Sequence, residues 1–172
     1  LADKIVNIQN VIENKKEISF LHSGHLGDII NSLAVIQELS KTHKCSLYVQ
    51  ANKPLPSNED LYKSSKDLVF LENKSVDLLL PLLKCQPFLL NVEKYDNQNI
   101  DIELDLFRSL PINFNDDSVR WYSLLTGINV DLTIPYLFVE EKEKFKNKVV
   151  IIRSSRRKNL FINYKFLENY DD

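Results

Sequence analysis

Two histidines and an aspartate recur at intervals of three in His22-Ser23-Gly24-His25-Leu26-Gly27-Asp28. Imidazoles and carboxylates are the side chains that accept, donate and relay protons near neutral pH. A carboxylate that faces a cleft can take the proton of an attacking hydroxyl. The same carboxylate at a helix N-cap only accepts a backbone N–H. For Asp28 the segment leaves both roles open. Zinc would ask for three convergent ligands with supporting partners, and the remaining histidine, His43, falls at the far end of the following helix. No metal is therefore expected. His22, Ser23 and His25 are assigned to hydrogen bonding with a substrate, and Gly24 and Gly27 to letting it approach the backbone.

Several familiar motifs are missing. G-x-x-x-x-G-K-[ST] is absent, so the loop is not a Walker loop, and G-x-G-x-x-G is absent, which disfavours a dinucleotide site. Without G-x-S-x-G there is no serine hydrolase elbow. Gly24-His25-Leu26-Gly27 matches the G-x-x-G clamp of KH domains, but that clamp needs basic surroundings and this loop ends in Asp28. No nucleic-acid partner is expected.

The surrounding pattern says how the loop is held. Glu17-Ile18-Ser19-Phe20-Leu21-His22 reads as a short strand, and Ile29, Ile30, Leu33, Ile36 and Leu39 form the apolar stripe of a helix running from Ile29 to near Lys44. Cys45-Ser46-Leu47-Tyr48-Val49-Gln50 reads as a second strand. Strand, glycine turn, helix and strand make a βαβ unit, which implies a parallel sheet. The loop thus lies where a strand ends and a helix begins, the place where open α/β sheets bind ligands and where helix N–H groups favour anions.

Elsewhere, Ile5, Ile8, Val11 and Ile12 predict a helix or linker over residues 1–16. Residues 52–57, with Pro54 and Pro56, are loop. Residues 61–71 are ambiguous. Residues 76–84 suggest a short helix broken by Pro81, ahead of a strand at 87–91. Strict alternation over 100–106 predicts a half-exposed or edge strand. Residues 118–126 read as a helix, with Asp116 or Asp117 as N-cap and Gly127 as its stop. Trp121 and Tyr122 on it could stack a sugar or simply fill the core. After a charged stretch over 139–148 the pattern restarts: Val149-Val150-Ile151-Ile152 reads as a buried strand and Arg153-Ser154-Ser155-Arg156-Arg157-Lys158 as a basic loop.

Composition sets outer limits. The chain has 172 residues, 44% hydrophobic and 27% charged, which suits a folded globular chain rather than a disordered one. The net charge of −2 provides no global basic field for nucleic acid or an anionic membrane. No apolar run approaches the ~18 residues of a membrane span. Cys45 and Cys85 sit in apolar surroundings and are expected to be reduced structural thiols of a cytosolic protein. Only three glycines occur, two of them Gly24 and Gly27. The absence of methionine, together with the restart at Val149, predicts a piece of a longer protein.

Residues 23–36, Ser-Gly-His-Leu-Gly-Asp-Ile-Ile-Asn-Ser-Leu-Ala-Val-Ile, resemble the opening motif of heptosyltransferase-like glycosyltransferases, the lipopolysaccharide-core transferases of family nine. Where that family usually carries a proline soon after Gly-Asp, this chain has Ala34. The resemblance implies the GT-B architecture: an α/β, Rossmann-like parallel-sheet domain on the acceptor side (17–139), then a linker and the start of a second, donor-binding α/β domain (140–172). It implies transfer of a sugar from a nucleotide-sugar donor to a glycan or glycolipid hydroxyl, with Asp28 as general base. Arg153, Ser154, Arg156 and Arg157 would meet the donor diphosphate, and no further cofactor is implied. It also implies a cytoplasmic protein and leaves peripheral inner-membrane contact open. A GT-B-like nucleotide-sugar epimerase and a non-catalytic glycan- or partner-binding domain remain alternatives, with a dinucleotide-dependent oxidoreductase behind them.

Overall fold

The computed structural model describes residues 1–56, 69–112, 114 and 117–139. The expectations for residues 57–68, and those for Arg153, Ser154, Arg156 and Arg157, lie outside the described residues. The described residues belong to one compact unit, Leu1–Val139.

Helix α1 (Ala2–Asn14) leads into strand β1 (Glu17–His22), helix α2 (Leu26–Ser40) and strand β2 (Lys44–Val49). Helix α3 (Asn73–Lys84), strand β3 (Leu89–Lys94), the two-residue strand β4 (Ile102–Glu103), a 3-10 helix (Leu104–Ser109) and helix α4 (Ser118–Thr126) follow. The four strands are all parallel, in the order β3-β2-β1-β4. This is the α/β, Rossmann-like arrangement expected of the sequence.

β1 lies inside the sheet, so from Phe20 to His22 its side chains are buried on both faces, while Glu17 at its start is exposed. Phe20 sits opposite Leu47 of β2 and opposite Ile102 of β4, and all three are buried. Ile29, Leu33 and Ile36 bring the apolar stripe of α2 into the same core. Burying a side chain of this size contributes about 1.5–3 kcal/mol, so the βαβ unit carries much of the fold. Cys45 belongs to this core, where burial pushes its thiol up to about 12, whereas Cys85 is exposed rather than set in apolar surroundings.

Three elements depart from the sequence reading for identifiable reasons. α2 begins at Leu26 rather than Ile29, because His25 adopts the extended conformation of an N-cap (φ −65°, ψ 160°). Asp28 is therefore the third residue of the helix and not its cap. Pro81 does not break α3. Both Pro81 and Asp77, whose carbonyl loses its N–H partner, are exposed, so water can take the bond. The alternating run over 100–106 is an edge strand for only two residues before the chain tightens into the 3-10 helix. There residues three apart share a face: Leu104 and Phe107 turn into the core, and Asp105 and Arg108 turn together elsewhere.

α4 behaves as its sequence implies. The Asp117 side chain accepts from Val119 N at 3.0 Å, and Gly127 closes the helix at φ 70°. α1 docks on this end: Gln9 Nε2 donates to Thr126 O at 2.7 Å and lies against Gly127. An added Cβ at Gly127 would meet Gln9 Nε2 at 2.9 Å, in a backbone conformation that already disfavours side chains. Gly127→Ala should cost about 1–3 kcal/mol in urea denaturation. Gln9→Ala in that background should recover only the part due to the collision.

Candidate functional site

The chain builds the sheet outward from β1 through β2 to β3, then returns to place β4 on the other side of β1. The turn and helix that follow β1 and the 3-10 helix and α4 that follow β4 come together at the C-terminal ends of these neighbouring strands, the end at which open α/β sheets bind ligands. Asp28 stands where they meet, half-buried. Arg108 Nη2 donates to its Oδ2 at 2.5 Å, and His25 N–H donates to the same oxygen at 3.3 Å. Asp28 Oδ1 takes no hydrogen bond among the described residues, and the side chain keeps 18% of its surface exposed. The Arg108 guanidinium is wedged between two rings, 4.8 Å from the centre of Phe70 and 4.5 Å from that of Phe107.

Beneath this pair lies a second carboxylate. Asp105 Oδ2 accepts from Ser23 N at 2.7 Å and from Ser23 Oγ, and Lys53 Nζ approaches it to 3.5 Å while donating to Ser23 Oγ at 2.8 Å. Arg108 Nε lies 3.8 Å from Asp105 Oδ1. Burial works to raise the Asp105 pKa, yet it lies below the usual carboxylate value. The His22 ring, the Ser23 hydroxyl, Lys53 and the Ser23 amide together outweigh burial. Lys53 follows Asn52, whose left-handed backbone (φ 58°) turns the chain as it leaves β2.

His22 has no access to a substrate, contrary to the sequence expectation. It is completely buried. Its Nδ1 accepts from Gly24 N–H at 3.0 Å, which assigns the ring proton to Nε2, and Nε2–H donates to Tyr122 Oη at 2.8 Å. Desolvation drops the His22 pKa to about 4, although Asp105 and Asp28 pull the other way. Ser23 is likewise fully buried and spends its hydroxyl on Asp105 and Lys53, so it too is structural. Gly24 is buried, and what its missing side chain admits is protein. An added Cβ would strike Arg108 Nη2, would meet His22 Cε1 at 2.8 Å and would crowd Asp28 Oδ2 at 3.1 Å. His25 is partly exposed, with Nδ1 at 3.2 Å from Phe70 O and its ring edge-on to Phe70.

Gly27 is different. It lies in the first turn of α2, exposed, and among the described residues an added Cβ there would meet nothing within 4 Å. Packing does not demand glycine at this position, and helix propensity disfavours it by about 1 kcal/mol relative to alanine.

Sequence reasoning missed Asp105, Arg108 and Lys53, and weighed Tyr122 only as a sugar-stacking ring or a core side chain, the second of which it is. Their local contexts carry no motif, and only the i, i+3 spacing of Asp105 and Arg108 hinted at a shared face. Among the described residues no cluster of three or more His, Cys, Asp and Glu side chains could hold a metal ion. No helix among them is long and apolar enough to cross a membrane. A cavity of about 780 Å³ lies away from Asp28, lined by Arg120, Trp121, Leu124 and Val130. Size alone does not make it the site. Trp121 stacks on Phe107 at 5.4 Å as part of the core, and its Nε1, buried without an acceptor, is sealed from anything the cavity could hold. Comparison of the chain with protein-family models, with curated proteins and with solved structures finds no match.

Two outcomes are expected. The His22 ring should titrate near pH 4 by NMR. An unfolded histidine takes its proton near pH 6.5 and the folded one does not, so stability should fall by about 3 kcal/mol between those values. The loss should be absent in His22→Gln. In parallel, Gly24→Ala should cost about 1–3 kcal/mol through overpacking, whereas Gly27→Ala should leave urea stability unchanged or raise it by up to about 1 kcal/mol.

Proposed function

We propose that this chain is the acceptor-side domain of a nucleotide-sugar-dependent glycosyltransferase of the heptosyltransferase-like kind, with Asp28 as its general base. The observation that carries the reading is the state of Asp28. It sits where the turn after β1 meets the 3-10 helix after β4, with one carboxylate oxygen held by Arg108 and His25 N–H, the other without a hydrogen bond among the described residues, and Gly27 next to it in the exposed first turn of α2. A base for a sugar hydroxyl needs this combination: a fixed carboxylate, an uncommitted oxygen and room for the acceptor. The resemblance of residues 23–36 to the family's opening motif supports the same assignment.

The acceptor would lie across the first turn of α2, against Gly27 and His25. Its hydroxyl would donate to Asp28 Oδ1, and the proton would pass to that oxygen as the new glycosidic bond forms and the nucleoside diphosphate leaves. Arg108 fixes the carboxylate without blocking Oδ1. The role of Arg153, Ser154, Arg156 and Arg157 toward the donor diphosphate rests on the resemblance alone, as do the lipopolysaccharide-type acceptor and the cytoplasmic setting.

The test is nucleoside diphosphate release from a panel of nucleotide sugars, with a lipopolysaccharide-core oligosaccharide as acceptor. Asp28→Asn should lower turnover about 10²- to 10⁴-fold while leaving acceptor binding by calorimetry unchanged. An Asp28→Asn protein with wild-type turnover would sink the base assignment.

A further inference from the structure

α4 reaches the site through a single hydroxyl. Tyr122 is fully buried, packed at 4.9 Å from the Phe107 ring and at 5.7 Å from that of His22. A phenylalanine would fill the same space. A buried hydroxyl and a buried imidazole are costly unless every polar atom finds a partner, and here they do. Gly24 N–H donates to His22 Nδ1 at 3.0 Å, His22 Nε2–H donates to Tyr122 Oη at 2.8 Å, and Tyr122 O–H donates to the Asp28 carbonyl at 2.9 Å.

We infer that Tyr122 and His22 are positioning residues for Asp28, fixing its main chain through this unbroken line of hydrogen bonds from the Gly24 amide to the Asp28 carbonyl. The inference rests on the reading of Asp28 as the base.

Each link has one direction. His22 Nδ1 can accept only while it carries no proton, so Nε2 must donate. Tyr122 Oη accepts that proton's hydrogen bond and turns its own hydrogen onto Asp28. Burial, reinforced by the nearby Asp28 charge, pushes the Tyr122 phenol above its ordinary value, so the hydroxyl keeps its hydrogen. Asp28 is then held at two points: Arg108 grips the carboxylate and Tyr122 grips the carbonyl. A side chain anchored at both ends loses the freedom that would carry its uncommitted oxygen away from an acceptor hydroxyl. Gly24, whose amide starts the line, is also the residue whose missing side chain lets Arg108 come close. The two grips therefore share a hinge.

The test compares Tyr122→Phe with Leu125→Ala, a core truncation one turn further along α4 that removes none of these hydrogen bonds, on the whole chain. Amide hydrogen exchange is read first. Tyr122→Phe should speed exchange at Gly24 and His25 about tenfold or more relative to Leu125→Ala, after matching the two for global stability in urea. In the nucleotide-sugar assay Tyr122→Phe should lose about ten- to a hundredfold in kcat with KM within about twofold, while Leu125→Ala keeps its kcat well below its melting temperature. Unchanged exchange at Gly24 and His25 in Tyr122→Phe overturns the inference. So does full kcat in Tyr122→Phe when Asp28→Asn is inactive. If wild type and Asp28→Asn behave alike in the assay, the base reading fails instead, and the exchange comparison alone decides whether Tyr122 fixes Asp28.

Discussion

A carboxylate buried at the end of a parallel sheet calls for donors and cations around it, and Asp105 gathers them from three separate connections, which hydrogen-bond its Oδ2 and leave Oδ1 with charge neighbours only. Ser23 comes from the turn after β1, Lys53 from the turn after β2, and Arg108 from the 3-10 helix that follows β4. Without Asp105 the Ser23 amide and hydroxyl would lose their acceptor, Lys53 would lose the charge it leans toward, and Arg108 would lose one of the acids that orient it. The candidate base sits on top of this arrangement and inherits its order.

His22 completes the same logic from below. Its ring is neutral near pH 7 because it is buried, even with Asp105 Oδ1 only 3.6 Å from Nδ1. Neutrality is what allows Nδ1 to accept the Gly24 amide, and that bond sets the shape of the turn leading into α2. Charge, tautomer and loop geometry are here one constraint expressed three ways.

What the sequence made legible was local. The apolar stripe of α2, the strands on either side of it, the Asp117 cap and the Gly127 stop each depend on residues within a few positions of one another. The structure agrees with them to within a turn. The boundary at Leu26 was hidden because histidine is not a usual N-cap, and the fate of Pro81 turned on whether its face was wet. The alternation of residues 100–106 fitted a strand by period, but pairing with β1 is available to only two of them. For the site, Asp28 and the glycine turn stood out by spacing, whereas Asp105, Arg108, Lys53 and Tyr122 acquire meaning only when the sheet brings them to β1. His22 and Ser23 misled for the same physical reason: chemistry-bearing side chains look alike in sequence whether they end beneath the surface or upon it, and burial is decided by residues far along the chain.

The partners of Asp28 lie 80 and 94 positions after it, at Arg108 and Tyr122. Non-local contacts of this kind form late, because a long loop must close before they return any stabilisation. During synthesis β1, α2 and β2 emerge and can collapse while α4 is still unmade. Through that interval the Gly24 turn has neither its arginine nor its tyrosine. A nascent chain therefore carries the signature loop long before it carries the geometry that would make the loop competent. Asp28 acquires both grips only when folding is nearly over, and any ligand that needed them would report a finished domain.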